Sequence, residues 1–377
     1  MDKDIKMEKK GALKEVAKVF FKLGSIAFGG PAAHIAMMED EVVKKRKWMT
    51  HQHFLDLVGA TNLIPGPNST EMTMHCGHER AGWKGLIIAG ICFVFPAVII
   101  TMVFAWLYQQ YGQLPRVEPF IYGIKPAVIA IIIGAVYRLG KKALKNAQIG
   151  VLGALTLIAC LLGVHEILAL FVCGLLGLIW HLIINSKNNL NSFSPIILFH
   201  VALSSSSLKI LWIFIKIGAI LYGSGYVLFA FLDAELVSTG LLTRQELIDA
   251  VAVGQFTPGP VLSTATFIGW QLGGFWGAIA ATIGIFLPSF IFVSILNPFV
   301  PKMRKSKIFT AFLDAVNIAA VAVIIAVCIE MGKDTLTDWR TILIAFLSII
   351  SVFIFKKMNS AFIVIGGAIF GYLLMLV

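Results

Sequence analysis

Charge is scarce in this chain, and its scarcity excludes more than any motif does. Only 14% of the 377 residues are charged against 58% hydrophobic, and the mean hydropathy is +0.87. That balance leaves too little polar surface for a soluble globule and describes an all-α polytopic membrane protein. Residues 86–107 contain no acidic or basic side chain, over a length that crosses about 30 Å of hydrocarbon at about 1.5 Å per residue. Cysteine is sparse too: five are scattered with no CxxC pair, so neither a disulfide framework nor a dithiol motif is expected. No Walker, GxSxG, dinucleotide-binding or HExxH pattern occurs, and no polar stretch is long enough for an ATP-hydrolysing domain. The expectation is therefore a protein that is not an enzyme, needs no cofactor, and draws energy from an ion gradient or the membrane potential. Acidic residues (20) fall short of basic ones (31). In a soluble chain that excess would point to nucleic acid; here the Lys and Arg flank apolar spans, where they mark the cytoplasmic side. No nucleic-acid partner is expected. The opening "MDKDIKMEKKGALK" lacks the apolar core of a cleavable signal, so the first span is expected to stay in the protein.

What is present in abundance is repetition. "FKLGSIAFGG" (21–30) falls over "IKIGAILYGS" (215–224), and "MMEDEVV" (37–43) over "FLDAELV" (231–237). After a slip of one residue, "FLDLVGATNLIPGP" (54–67) falls over "LIDAVAVGQFTPGP" (247–260), and "GWKGLIIAGICFVFP" (82–96) over "GFWGAIAATIGIFLP" (274–288). The chain divides into an N-terminal tail (1–15), a first transmembrane repeat (16–184), a polar linker (185–208) and a second repeat (209–377).

The charges in corresponding loops orient the halves. Loop 109–118 has one basic residue and its counterpart 298–307 has four; "RLGKKALK" (138–145) has four, whereas "GKDTLTDWR" (332–340) balances two with two acidic; "GVHE" (163–166) has no Lys or Arg, against Lys356-Lys357. Three alternations in a row predict two inverted-topology halves, with 138–145, 298–307 and 356–357 cytoplasmic. Inversion requires the linker to change sides, for which "FSPIILFHVAL" (193–203) is short.

Each half also carries broken helices. Gly29-Gly30-Pro31, Pro65-Gly66-Pro67 and Pro258-Gly259-Pro260 interrupt apolar stretches, and backbone groups freed there must be buried in protein or line a wet cavity. Pro31 suits the first turn of a new helix, and helix N-termini favour anions. Lys22 and Lys216, equivalent in the repeat, each cost about 2.5–3.5 kcal/mol at bilayer depth. The pattern implies an anion site between 22–34 with 63–70 of one half and 216–226 with 256–264 of the other. N–H groups around Gly29, Gly30, Gly223, Gly225 and the two Pro-Gly-Pro turns would bind oxygens, Lys22 and Lys216 would balance charge, and Asn62 and its equivalent Gln255 would donate further hydrogen bonds. His34 joins the first half only, where the second has Gly-Ser-Gly in place of Gly-Gly-Pro.

The residues "KLGSIAFGGPAAHI" (22–35), "VKKRKWMTHQHF" (43–54), "LIPGP" (63–67), "AGWKGLIIAGICFVFP" (81–96), "YGSGYV" (222–227) and "TPGP" (257–260) resemble the chromate ion transporter family in its long-chain, two-domain form. The resemblance covers all but the tail and the linker. It implies a secondary active transporter that exports chromate, a tetrahedral dianion shaped like sulfate, across the cell membrane. The partners it implies are an oxyanion, chromate or sulfate, and the lipid bilayer, with a second copy of the chain as a candidate homodimer partner.

Blander or rival readings stand beside these. Lys22 lies near the start of its span and can snorkel to the interface. Glu39, Glu41, Asp233 and Glu235 are read as structural partners of nearby cations rather than coupling groups, and Lys125 and Asp314 as interfacial. "MHCGHE" (74–79), with His51 and His53 upstream, supplies His75, Cys76 and His78 as candidate ligands for a transition-metal transporter or a membrane metalloenzyme. His75 and His78 fall over Phe267 and Trp270 in the second half, so the duplicated core does not use them.

Overall fold

The computed structural model describes residues 2–28, 30–112, 114, 117–184, 206–222, 225–296, 306–355 and 358–376. Among them every regular element is helical, as hydrocarbon demands of a chain whose peptide groups must find partners within their own segment. In the first half the helices are α1 (Asp2–Ile26), α2 (Pro31–Met38), α3 (His51–Thr61), α4 (Asn68–Tyr111), α5 (Glu118–Ala143), α6 (Ala147–Leu161) and α7 (Glu166–Ile184). The second half has α8 (Ser206–Ile220), α9 (Val227–Leu232), α10 (Arg244–Phe256), α11 (Thr264–Leu296), α12 (Lys307–Thr335), α13 (Trp339–Ile354) and α14 (Ser360–Met375). Five of these, α4, α5, α7, α11 and α12, are long and apolar enough to cross a membrane. Their outer faces agree: Ile87, Ile91, Phe95, Ile99 and Val103 form an exposed stripe at four-residue spacing along α4, and Ile283, Leu287, Ile291 and Ile295 repeat it on α11. An apolar stripe of that length is a lipid contact.

The repeat holds in the backbone at fine grain. α2 and α9 each run into a π-helical turn, Glu39–Lys45 and Asp233–Val237. Thr50 and Thr243 cap α3 and α10 with their hydroxyls. α4 and α11 are each broken once, at Ala81-Gly82 and Gly273-Gly274, with φ of 62° at Gly82 and 60° at Gly274. Those breaks fold the first part of each long helix back on the second, and Gly77 against Gly85 and Gly269 against Gly277 let the two backbones touch.

Each half therefore begins with two hairpins that enter the membrane and return. Glu15, midway along α1, binds Trp48 Nε1 (3.3 Å), Arg46 (3.5 Å) and Arg80 (2.9 Å), so three points far apart in sequence share one level. The eleven residues from Glu15 to Ile26 descend about 17 Å, roughly half the hydrocarbon thickness. With Glu15 set at the membrane surface, the tips around Ala27 and at 63–67 reach about half the hydrocarbon depth. There they meet the tips of the other half in a reciprocal pair of hydrogen bonds. Gly66 N–H donates to the Leu221 carbonyl (2.7 Å), and Gly259 N–H to the Ala27 carbonyl (2.8 Å). Gly66 is the repeat equivalent of Gly259, and Ala27 that of Leu221, so the contact is isologous and the halves are related by a pseudo-two-fold axis.

The axis direction follows from α4 and α11, which pack against each other. Leu86 shares a small core with Val293, and Gly90 faces the ring of Phe290. Positions that rise along α4 meet positions that fall along α11, so equivalent helices run antiparallel and the repeats are inverted. With the hairpins returning to their side of entry, the crossings fall to the helices that follow: α4, α5 and α7, then α11 and α12, are long and apolar enough for it, and α6, α13 and α14 are shorter apolar helices. The linker residues 185–205 lie outside the described residues, as do 298–305 and 356–357 of the loops used for orientation.

Two outcomes follow. With the five native cysteines replaced, Lys141→Cys and Lys333→Cys should react with an impermeant maleimide from opposite faces of the membrane; labelling from one face would overturn the inversion. At Gly66, φ is 141° and a Cβ would collide with Ser289 and Glu71, so Gly66→Ala should destabilise by about 1–3 kcal/mol in detergent melting. Gly332→Ala, in open space within a helix, should be neutral or stabilising by up to about 1 kcal/mol.

Candidate functional site

Asn62 ends α3 and Asn68 begins α4, with the Pro-Gly-Pro turn between them. The Asn68 side-chain amide donates to Asn62 Oδ1 at 2.7 Å across that turn, and Asn62 donates in turn to the Val58 carbonyl (3.0 Å). The two amides border a cavity of about 150 Å³ that Lys142 of α5, Asn317 of α12 and Val227 also line. At about 30 Å³ per water it has room for roughly five water positions, enough for a four-oxygen anion. One turn before Lys142, Arg138 approaches the buried Tyr226 hydroxyl, as does Gln255. Gly30 lies beneath that hydroxyl. Since Tyr226 precedes Val227, the two clusters adjoin. Two cations four residues apart on α5, four amides and a phenol thus converge where tips of both halves meet. A larger groove of about 680 Å³ between α4 and α11 is lined almost wholly by Ile, Leu, Val and Phe; it offers a dianion nothing.

The expected residues divide between this centre and its scaffold. Asn62, Gly30 and Gln255 are in or beside it. Gly225 sits in the turn before α9, next to Val261 and Leu262. Pro31 occupies the first turn of α2 behind Gly30, whose φ is 81°. Pro65, Pro67, Pro258 and Pro260 frame the turns that present Gly66 and Gly259. Gly29 and Gly223 lie outside the described residues.

Three expectations need correcting. The N–H groups of Gly66 and Gly259 do not face an open site: each is used on a carbonyl of the opposite half, because a mid-membrane carbonyl left bare by a broken helix needs a donor. Lys22 and Lys216 each pair with a carboxylate. Lys22 Nζ lies 3.1 Å from Glu41 and Lys216 Nζ 2.6 Å from the equivalent Glu235, so each lysine ties its half's first hairpin together. Glu41 also holds Lys45 (3.3 Å) and Arg46, and the Lys45 ammonium keeps the neighbouring Asp40 carboxyl below the usual carboxylate range. Lys125, read as interfacial, instead joins the halves: it donates to Gln245 (2.8 Å) and lies 3.5 Å from buried Asp249, which also accepts from Tyr108 (2.7 Å). Asp314 pairs with Lys145 at 2.7 Å near the rim.

His34 is buried, its Nε2 3.1 Å from the same Ala27 carbonyl that accepts from Gly259, and its ring edge meets Phe93. It props the tip. His51 lies 3.2 Å from Glu39, His53 3.1 Å from Glu79, and the His78 ring stands against Trp83. Cys76 is buried in α4. Among the described residues no group of three His, Cys, Asp or Glu is arranged to hold a metal ion.

Arg138, Lys142, Asn68 and Asn317 escaped the sequence. The first two were absorbed into the topology charge of "RLGKKALK". In the register that sets Lys125 over Asp314, Asn317 and Lys142 fall opposite Val128 and Met331, so a search for repeated residues passes over them.

Comparison with known proteins agrees with the two-fold architecture. The sequence profile of the chromate transporter family matches twice, over residues 14–178 and 208–372. A probable chromate transport protein of Synechococcus elongatus is 31% identical over 377 residues, covering 96% of this chain and 95% of that protein. A chromate transport protein of Cupriavidus metallidurans is 30% identical, over 95% and 92%, and one of Pseudomonas aeruginosa 28%, over 94% and 90%. No solved structure matches. With one copy of the family unit in each inverted half, the chain belongs to the chromate transporter family.

Proposed function

We propose that the protein is a secondary active transporter that exports chromate or the isosteric sulfate across the cell membrane, and that the Asn62–Asn68–Lys142–Asn317 cavity is its inward-facing anion site. The observation that carries this is the placement of Lys142 and three amides around a small cavity beside re-entrant tips. Amides and an ammonium donate to every oxygen of a tetrahedral dianion and present no carboxylate to repel it. Arg138 and Gln255, on the far side of Val227, are the next groups the anion would meet on its way between the halves.

The driving force needs no nucleotide. With the interior negative, moving a dianion outward gains roughly 4.6 kcal/mol per 100 mV, twice the value for one charge. Alternating access would come from one half rocking on the other. The hydrogen bonds of Gly66 and Gly259 are the natural pivot, since they are the backbone links between halves at mid-depth. The first hairpins, locked by Lys22–Glu41 and Lys216–Glu235, would move as rigid bodies.

Lys142→Ala removes one charge-assisted bond, so it should weaken anion binding by about 1.5–3 kcal/mol, roughly 10- to 150-fold. Asn317→Ala should cost about 1 kcal/mol, roughly fivefold. Lys22→Ala should leave affinity for the anion nearly unchanged, because Glu41 keeps Lys45 and Arg46. Binding to purified protein and flux in proteoliposomes, with chromate, sulfate, phosphate and zinc compared, provide the measurement. Loss of binding in Lys22→Ala or Lys216→Ala with full binding in Lys142→Ala would return the site to the lysine pair and overturn the cavity; transport of zinc alone would overturn the anion altogether.

A further inference from the structure

Among the described residues Glu71 is the one carboxyl with no exposure at all. It sits in the first turn of α4, beyond the Pro-Gly-Pro tip, at the depth where the halves meet. Neither of its oxygens has a partner in good hydrogen-bond geometry among the described residues, the Ser289 hydroxyl standing nearest, and no ion pair reaches it there. The groups around it are few. Ser289 of α11 brings its hydroxyl alongside, over the α-carbon of Gly66. Tyr222, at the end of α8, is the titratable group near enough to feel its charge. His75 lies one turn further along the same helix. α1 and α2 offer Lys22 and His34, but the first is taken by Glu41 and the second faces the Ala27 carbonyl. No lysine or arginine pairs with Glu71 among the described residues, and a carboxylate buried this fully is costly unless it is paired.

The repeat provides its own control. The position equivalent to Ser289 is Ala97, and it packs on Gly259 as Ser289 packs on Gly66. In the second half the stretch after Pro-Gly-Pro carries Ser263 and Thr264, buried hydroxyls and no carboxyl. The same tip is thus built without an acid in the second half, so packing does not require Glu71.

We propose that Glu71 is the proton-binding group of the transport cycle. It holds a proton while the tip is closed around it and has lost that proton to water in the parted, empty protein, so that anion binding, which closes the tip, takes one up. Asn68, three residues earlier and so on the same face of α4, lines the anion cavity. A carboxylate at Glu71 therefore repels a dianion held by Asn68, and the neutral acid does not. Proton and anion binding reinforce each other, and by reciprocity the anion draws a proton onto Glu71. The balance is simple: a proton leaves hydronium or buffer for a Glu71 oxygen as the anion enters, and returns to water as it leaves, so that one net negative charge crosses per cycle and the membrane potential supplies roughly 2.3 kcal/mol per 100 mV in place of the bare dianion's value.

This inference rests on the cavity being the anion site, and the test separates the two. Full-length purified protein is titrated with sulfate, whose charge is constant from pH 5.5 to 8.5, and with chromate, in buffers of differing ionisation enthalpy. The unaltered protein should bind tenfold or more tightly at the acid end and take up about one proton per anion at neutral pH. Glu71→Gln should bind with the acid-end affinity at every pH and take up none. A Gln variant that keeps the pH slope and the proton uptake overturns the role of Glu71 while leaving the cavity intact. If that variant does not fold, zero proton uptake by the unaltered protein overturns it equally. Absence of anion binding by the unaltered protein at every pH overturns the cavity and Glu71 together.

Discussion

A helix that stops halfway through a membrane leaves carbonyls with no donor, and the rest of this structure answers that constraint. At Ala27 and Leu221 the first helix of each half ends in the hydrocarbon, and the donor each carbonyl receives is a Pro-Gly-Pro glycine of the other half. Neither half can satisfy its own break in this way. The two halves are consequently obligatory partners, and the two-fold relation between them is a requirement of hydrogen bonding as much as a trace of duplication. Gly66 and Gly259 have φ of 141° and 93°, values open to glycine, because only there does the N–H turn toward the opposite tip without a Cβ striking Ser289 or Ala97.

Around that link the symmetry is kept where it holds the scaffold and broken where chemistry is placed. Lys22–Glu41 and Lys216–Glu235 are matched pairs, as are Gly24 packed on the Phe93 carbonyl and Gly218 on that of Ile285. The cations of the cavity, by contrast, come from α5 alone, Asn317 from α12 alone, and the buried acid from α4 alone. A perfectly symmetric site at the centre of an inverted repeat would present the same face to both sides of the membrane. In the transport cycle we propose, polar groups that differ between the halves would let one orientation bind and the other release.

The hydrophobic spans, the duplication and the broken helices were all legible in the residues, because each is a local or periodic property: runs without charge, a recurring "PGP", a glycine before a proline. Inversion was legible from Lys and Arg in three loops, since loop charge responds to the side of the membrane and not to packing. The residues of the site were only partly legible. Asn62 and Gln255 emerged because both copies carry a hydrogen-bonding amide, whereas Lys142 reads in sequence like any other basic residue in a cytoplasmic loop. Glu71, in "NSTEM", lies in a stretch whose burial cannot be judged until α11 and the end of α8 close over it.

The sequence by itself determined the environment, the two-fold plan and where the helices must break, since composition and chain stiffness act at short range. Which donors meet which breaks was decided only by the tertiary structure. Lys22 and Gly66 looked like ligands while their partners lay 19 and 155 residues away in the chain, at Glu41 and Leu221. Once folded, those partners engage them, and the exposed Lys142 beside its amides and the buried Glu71 are the groups that only long-range contact could reveal.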